Sequence, residues 1–214
     1  MGLDVAGLGN AIMDALVRLP DDEVLTELGV KRGQMTPVDH HRWHEVYDRV
    51  HQLGVEVHSG GSCANSIATA GVLGGKVLFC GQVGDDDFGS LYANSMEGAC
   101  GGHHLQMLSG EVTGKCLSLI SRRDGERTML TDLGTSVNLR DLGGFSQRIR
   151  HSKVIHFEGY YLLGGPVREA AQEAMELARH SGVAVSLDCA DPFVAKTCKD
   201  ELIHTFKNHV NIGF

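Results

Sequence analysis

Apolar residues along the chain follow two alternating patterns. Short runs of branched and aromatic residues are each followed by a longer segment in which apolar residues recur every three or four positions. The first pattern predicts buried strands and the second predicts amphipathic helices. Buried strands are predicted at residues 3–9, 76–83, 153–157, 183–187 and 210–214. Because strands and helices alternate, the predicted fold class is α/β, with a mostly parallel sheet and helices on both faces.

The predicted helices are bounded by residues that typically start or stop a helix. An apolar stripe of Trp43, Val46, Tyr47 and Val50 follows a possible cap at Asp39. Further helices are predicted at 21–28, 62–73, 87–99, 139–150, 166–182 and 199–208. We expect Ser62 to cap the second of these, because a serine hydroxyl can accept a hydrogen bond from a free amide of the first turn.

Two clusters contain residue types that also bind metals. Asp85, Asp86 and Asp87 open the helix at 87–99, where acidic side chains complement the helix dipole. His40 and His44 have the i,i+4 spacing of some metal sites, but no Glu or Cys completes the set. We therefore predict helix caps and a solvated histidine face rather than metal sites.

A different pattern occupies the middle of the chain. The runs 114–121 and 126–133 alternate partly, and the Asp124-Gly125 dipeptide between them is a strong hairpin signal. With the extended run at 31–38, this hairpin is predicted to form a small β-sheet that covers the main domain as a lid. Arg127 on the return strand is a candidate ligand contact, although a lone exposed arginine more often contributes only surface charge.

Polar residues and glycines gather at two predicted strand ends. Asn10 and Asp14 follow the first strand, where open α/β sheets bind ligands. Gly60 and Gly61 permit a sharp turn and close approach of a ligand to the backbone, and Asn65 lies near the start of the next helix. Ordinary turns are the alternative explanation for both stretches.

Composition narrows the class of protein. The 214 residues carry 19 basic and 27 acidic side chains, a net charge of −8 without a basic cluster, which argues against nucleic-acid and membrane-surface partners. Six cysteines without a C-x-x-C pair indicate reduced thiols, and no signal peptide or membrane span is apparent. We therefore expect a cytoplasmic protein.

Several motifs resemble those of the PfkB or ribokinase-like family of carbohydrate and nucleoside kinases. The residues within these motifs are most similar to those of the bacterial adenosine-kinase-like sugar kinases. The resemblance extends over essentially the whole chain. It comprises the segments 4–10 with Asp14, 60–65, 81–89, 113–116, 124–129, 158–160 and 186–193. Residues 1–214 then correspond to the N-terminal two-thirds of the family's kinase domain, with lid segments at about 12–20, 31–38 and 112–134.

The resemblance implies transfer of the γ-phosphoryl group from ATP, with Mg²⁺, to a primary hydroxyl of a sugar or nucleoside such as adenosine or ribose. By position, Asn10, Asp14 and Asn65 would contact substrate hydroxyls, and Gly60 and Gly61 would let the sugar approach the backbone. Glu158 matches a sugar-contacting position of some members. Pairing of lids between subunits, known in some relatives, allows a homodimer.

One family motif does not occur in the sequence. The family's Gly-Ala-Gly-Asp, in which a helix N-terminus stabilises the transferring phosphate and the Asp acts as base, is absent from the 214 residues. We therefore expect a C-terminally truncated kinase domain without catalytic residues of its own and without kinase activity by itself.

Two other classes of protein are alternatives to a kinase. A dinucleotide-binding oxidoreductase would need a third glycine three residues after Gly9, and that position is Ile12. A non-catalytic sugar- or nucleoside-binding protein remains the alternative.

Overall fold

The computed structural model describes residues 2–214, in which eleven strands form two separate β-sheets. The strands are β1 (Leu3–Leu8), β2 (Ile12–Leu19), β3 (Met35–Pro37), β4 (Glu56–Gly60), β5 (Val77–Gly84), β6 (His104–Leu108), β7 (Gly114–Ser121), β8 (Arg127–Asp132), β9 (Ser152–Glu158), β10 (Ala184–Asp188) and β11 (Ile212–Gly213). The helices are α1 (Glu23–Glu27), α2 (His40–Val50), α3 (Ser62–Val72), α4 (Asp87–Cys100), α5 (Phe145–Arg150), α6 (Val167–Ser181), α7 (Pro192–Thr197) and α8 (Lys199–Asn208). Short 3-10 turns lie at His51–Leu53, Gly134–Asn138 and Gly159–Leu163.

The larger sheet, here called sheet A, has the order β11-β10-β9-β1-β5-β6, and each neighbouring pair is parallel. Along β5, Leu78 and Cys80 belong to the core that includes α5 and α6, whereas Val77 and Phe79 belong to the core that includes α3 and α4. Side chains alternate between the two faces of a strand. Helices therefore cover both faces, which confirms the predicted α/β class.

The smaller sheet, sheet B, has the order β3-β8-β7-β2-β4 and mixes parallel with antiparallel pairs. The predicted hairpin is its β7–β8 pair, joined at Asp124-Gly125. Sheet B has its own core, in which Trp43, Val46 and Val50 of α2 are fully buried with leucines of β7 and β8. The apolar pattern predicts a sheet made only of this hairpin and the extended run at 31–38. Sheet B is larger, because it also contains β2 and β4.

Further elements also differ from the apolar pattern. The edge strand β6 was not predicted, since the polar His104 and Gln106 interrupt its apolar run. The helix predicted at 139–150 begins only at Phe145, because Gly143 takes a left-handed conformation (φ 50°) and Asp141 accepts its amide hydrogen at 2.8 Å. That local turn prevents the first part of the segment from being helical.

Lys115 is buried in the face of sheet B that packs on α2, with its side chain 2% exposed. Its Nζ lies 3.1 Å from a carboxylate oxygen of Asp132, 2.9 Å from Nδ1 of His40 and 5.2 Å from the centre of the Trp43 ring. A buried ammonium needs such partners, since an unpaired charge there would be costly. His40 therefore has a specific contact in addition to its solvent-exposed surface.

The carboxylate of Asp86 joins the two sheets. Its Oδ1 accepts the amide hydrogen of Gly89 at 2.8 Å and so caps α4. The same carboxylate accepts the backbone N–H of Thr113 at 2.8 Å and its hydroxyl at 2.5 Å, immediately before β7. The predicted acidic cap is thus confirmed for the middle of the three carboxylates, while Asp85 and Asp87 are exposed.

Asp86→Asn is expected to lower the free energy of unfolding by about 1–2 kcal/mol, because an amide cannot accept hydrogen bonds at both of its ends. Urea unfolding followed by far-UV circular dichroism measures this. The matched control Asp87→Asn, one residue away and exposed, should stay within about 0.5 kcal/mol of the parent. Equal effects of the two changes would contradict the bridging role of Asp86.

Candidate functional site

A cavity of about 470 Å³ lies between the two sheets, at the carboxyl ends of β1 and β9. Its polar lining consists mainly of Asn10, Asp14, Ser62, Glu158 and Asp191. Its apolar lining includes Ile12, Met35, Pro37, Met129, Leu133 and Phe193. The carboxyl ends of parallel strands are where α/β sheets bind ligands. The cavity therefore has the position, size and mixed lining of a small-molecule site.

The turn Gly60-Gly61 forms one side of the cavity and leaves no room for side chains. A Cβ on Gly61, which has a left-handed φ of 93°, would overlap the backbone carbonyl of Asn10. A Cβ on Gly60 would overlap the carboxylate of Asp14. Glycine is required at both positions because the turn packs directly against other parts of the protein. The same packing places Asn10 and Asp14 beside the turn.

Asp14 is half-buried on β2, across from His58 of β4. Burial raises the pKa of its carboxyl, and the positive charges of Arg127 and His58 oppose that rise. Among residues 2–214, no donor makes a hydrogen bond to this carboxylate. Its oxygens are therefore free to accept hydrogen bonds from a ligand.

Asn10 is 5% exposed, and its side-chain Oδ1 has no hydrogen-bond partner among the described residues. A buried amide oxygen without a partner carries an energetic cost of about 1–3 kcal/mol. Asn10 also lines the cavity, and a rotation of its amide toward the cavity would let a ligand hydroxyl remove that cost.

Glu158 ends β9 and is 2% exposed. Its carboxylate accepts the amide hydrogens of Asn10 at 3.3 Å and Cys63 at 3.0 Å, together with the hydroxyl of Ser62. Burial raises the pKa of Glu158 to about 7, while these three donors act in the opposite direction.

Other predicted site residues lie elsewhere. Asn65 is exposed one turn into α3 and is not part of the cavity lining. Arg127 is exposed at the start of β8 and reaches Asp14 only through its charge. Ser62 does not cap α3, since the cap position is Gly61 and the serine hydroxyl donates to Glu158, 96 residues away.

Several cavity residues were not predicted from sequence as ligand contacts. They are chiefly the apolar side chains of sheet B and the segment around Tyr160, Asp191 and Phe193. The Asp191-Pro192 pair is visible in the sequence as a helix start after a strand, and Asp191 does cap α7. Its hydrogen bond from the Tyr160 hydroxyl at 3.1 Å depends on tertiary structure, which the local pattern does not contain.

Comparison with known proteins identifies the family. The model of the pfkB family carbohydrate kinases matches residues 34–212, so the chain belongs to this family. It is 32% identical over 132 residues to a probable fructokinase-3 of Arabidopsis thaliana, covering 60% of this chain and 38% of that protein.

Solved structures agree with this assignment. The crystal structure of adenosine kinase from Sinorhizobium meliloti superposes with a TM-score of 0.89 at 30% identity, over 100% of this chain and 65% of that one. A probable sugar kinase protein from Rhizobium etli gives a TM-score of 0.89 at 28% identity, over 100% of this chain and 64% of that one. The ribokinase-like fold is therefore confirmed, and the chain spans less than two thirds of the length of these relatives.

Within residues 2–214, no three His, Cys, Asp or Glu side chains come together as a group that could hold a metal ion. In the same range, no helix is long and apolar enough to cross a membrane.

Gly61→Ala is expected to destabilise the chain more than Gly74→Ala, by about 1–3 kcal/mol, which is the usual cost of overpacking. The two glycines have nearly the same φ, 93° and 92°, but a Cβ at Gly74 meets open space. The difference in urea-unfolding free energy between the two variants therefore isolates the contact with Asn10. Equal values would show that only backbone conformation matters at Gly61.

Proposed function

We propose that the cavity binds the phosphate acceptor of an ATP-dependent kinase, a sugar or a nucleoside. The observation that carries this proposal is the meeting of Asp14, Asn10 and the Gly60-Gly61 turn at one end of the cavity. The carboxylate of Asp14 and the unpartnered Oδ1 of Asn10 are acceptors for hydroxyl hydrogens. The Gly60-Gly61 turn holds both residues at this end of the cavity, because its backbone packs directly against them.

Sheet B is proposed to act as the lid of this site. Its strands supply Ile12, Met35, Met129 and Leu133 to the cavity wall. Apolar cover of this kind excludes water, which strengthens the hydrogen bonds made beneath it. Edge strands β3 and β4 are where a homodimer through the lid would form, and light scattering of the purified chain tests that state.

Of the two acceptor classes, the apolar wall supports a nucleoside. Asp14 and Asn10 form a polar end of the cavity, whereas Met35, Met129 and Leu133 of the sheet B region supply apolar lining, together with Phe193, which is 53% exposed. A free hexose carries hydroxyls around its whole ring, and those facing an apolar wall would lose their hydrogen bonds at about 1–3 kcal/mol each. A nucleoside is polar at its ribose and has a flat base, which stacks on aromatic side chains for about 1–3 kcal/mol.

ATP and Mg²⁺ are proposed for the complete protein on the basis of the family. The described residues do not include a group of three His, Cys, Asp or Glu side chains that could hold a metal ion. What the 214 residues do in this proposal is bind and orient the acceptor and exclude water from it. We expect no phosphate transfer from ATP to adenosine by this chain alone.

A non-catalytic sugar- or nucleoside-binding protein is the alternative function, and it would use the same cavity. The complete coding sequence distinguishes the two, because a kinase of this family requires the Gly-Ala-Gly-Asp motif. Transfer of labelled phosphate by the full-length product would exclude the binding protein.

Adenosine is expected to bind this chain about fivefold to a hundredfold more tightly than ribose, since base stacking adds about 1–3 kcal/mol. Isothermal titration calorimetry with adenosine, ribose and fructose measures the order. Tighter binding of fructose than of adenosine would contradict the nucleoside assignment but not the acceptor site.

Asp14→Asn is expected to weaken adenosine binding about tenfold to a hundredfold, because hydrogen bonds to a charged acceptor are worth about 1.5–3 kcal/mol. Asp48→Asn, on the exposed face of α2, is the matched control and should bind as the parent does. Unchanged affinity of the Asp14 variant would remove the carboxylate from the acceptor site.

A further inference from the structure

Helix α3 begins at the cavity without a capping side chain of its own. Its cap position is Gly61, which has no side-chain acceptor for the first-turn amides. The first amides of a helix have no intrahelical partners and need an acceptor from elsewhere. In this structure the acceptor comes from a different strand.

The carboxylate of Glu158 takes that place. One oxygen accepts the N–H of Cys63 at 3.0 Å and the hydroxyl of Ser62, both in the first turn of α3. The other oxygen accepts the N–H of Asn10 at 3.3 Å, at the end of β1. One side chain from β9 thus binds the start of α3 to the end of β1, across 95 and 148 residues of sequence.

The space around this carboxylate is closed. A Cβ on Gly9 would lie 3.1 Å from Oε1 of Glu158 and 2.7 Å from Cβ of Cys63. A side chain at Gly9 would therefore push the carboxylate and the helix away from β1. Glycine at this position is consistent with a fixed location for the carboxylate.

We propose that Glu158 is a positioning residue whose ionised carboxylate caps α3 and holds the Gly60-Gly61 turn against Asn10, so that the affinity for the acceptor depends on its ionisation. The effect on acceptor affinity rests on the proposed function, whereas the capping of α3 by Glu158 is supported by the hydrogen bonds alone. The carboxylate can accept about four hydrogen bonds, and protein donors occupy three of these positions. Glu158 therefore mainly fixes the positions of Asn10 and Gly61.

Ionisation of Glu158 falls in an accessible pH range. Burial raises its pKa from 4.5 to about 7, and the charge of the facing Asp188 on β10 adds to the rise. Asp14 and Asp191 line the same cavity as Glu158. Three weaker acids also lie near it, namely Cys63 of α3, Tyr92 of α4 and Tyr160 after β9. The pKa values of these three are raised, so they stay neutral near pH 7 and do not compete with Glu158.

The contribution of Glu158 to global stability and its capping of α3 depend on pH in opposite directions. A folded-state pKa above the unfolded one means that Glu158 stabilises the fold fully below pH 4.5 and loses that contribution as pH rises through about 7. The cap to α3, in contrast, is complete only above that pH. We therefore expect acceptor affinity to rise with pH while the contribution of Glu158 to global stability falls.

The test follows the amide resonances of Asn10 and Cys63 by ¹⁵N-NMR between about pH 5.5 and pH 8.5 in the 214-residue chain. Both amides should titrate together with a midpoint near 7. Ser62→Ala removes one donor to the carboxylate and should raise that midpoint, which a purely structural serine would not do. Absence of a shared titration, or an unchanged midpoint in Ser62→Ala, would overturn the proposal.

Adenosine affinity by calorimetry is the second readout. A site that requires ionised Glu158 is about one-tenth competent one pH unit below the midpoint, so binding at pH 6 should be about tenfold weaker than at pH 8. Glu158→Gln should be weak at both pH values, and the exposed Glu173→Gln should follow the parent. Parent-like, pH-independent binding by Glu158→Gln would overturn the link to affinity. A shared amide titration without binding of adenosine, ribose or fructose would retain the cap and reject the proposed function.

Discussion

The close approach of Gly61 to the carbonyl of Asn10 is the contact on which the site depends. It places the start of α3 directly against the end of β1, at the point where the chain leaves sheet A and enters sheet B. A β-carbon at Gly61 would separate these elements, and the floor of the cavity would open with them. The carboxylate of Glu158 then fixes the same junction from the other side, with hydrogen bonds to both elements.

This arrangement joins two structural units that have separate cores. Sheet A packs between two layers of helices, whereas sheet B packs on α2 around Trp43. Between them lies the cavity, polar where Asp14 of β2 meets Asn10 and apolar where Met35, Met129 and Leu133 line it. Polar contacts such as that of Asp86 with Thr113 hold the units in register without filling the cavity.

Local patterns predicted the fold better than the site. Five of the six strands of sheet A are apolar runs that the sequence predicts, whereas the edge strand β6 carries polar residues at His104 and Gln106 and is not an apolar run. Asn10, Asp14 and Glu158 line the cavity at strand ends, where the rule for parallel sheets places ligands. The predicted roles of Ser62 as a helix cap and Asn65 as a ligand contact rest on their positions near the start of α3. The Ser62 hydroxyl instead donates to the carboxylate of Glu158, 96 residues away, and Asn65 lies on the exposed face of α3.

The buried Lys115 has a consequence for how the β7–β8 hairpin forms. Lys115 and Asp132 are direct partners in the strand register, and the neighbouring Cys116 points to the cavity instead. A slip of one residue would exchange the two faces, leaving an ammonium in the ligand cavity and its carboxylate without a partner. The ion pair therefore makes misregistered hairpins costly, so the same pair that is hidden from solvent selects the one alignment in which sheet B presents an apolar wall.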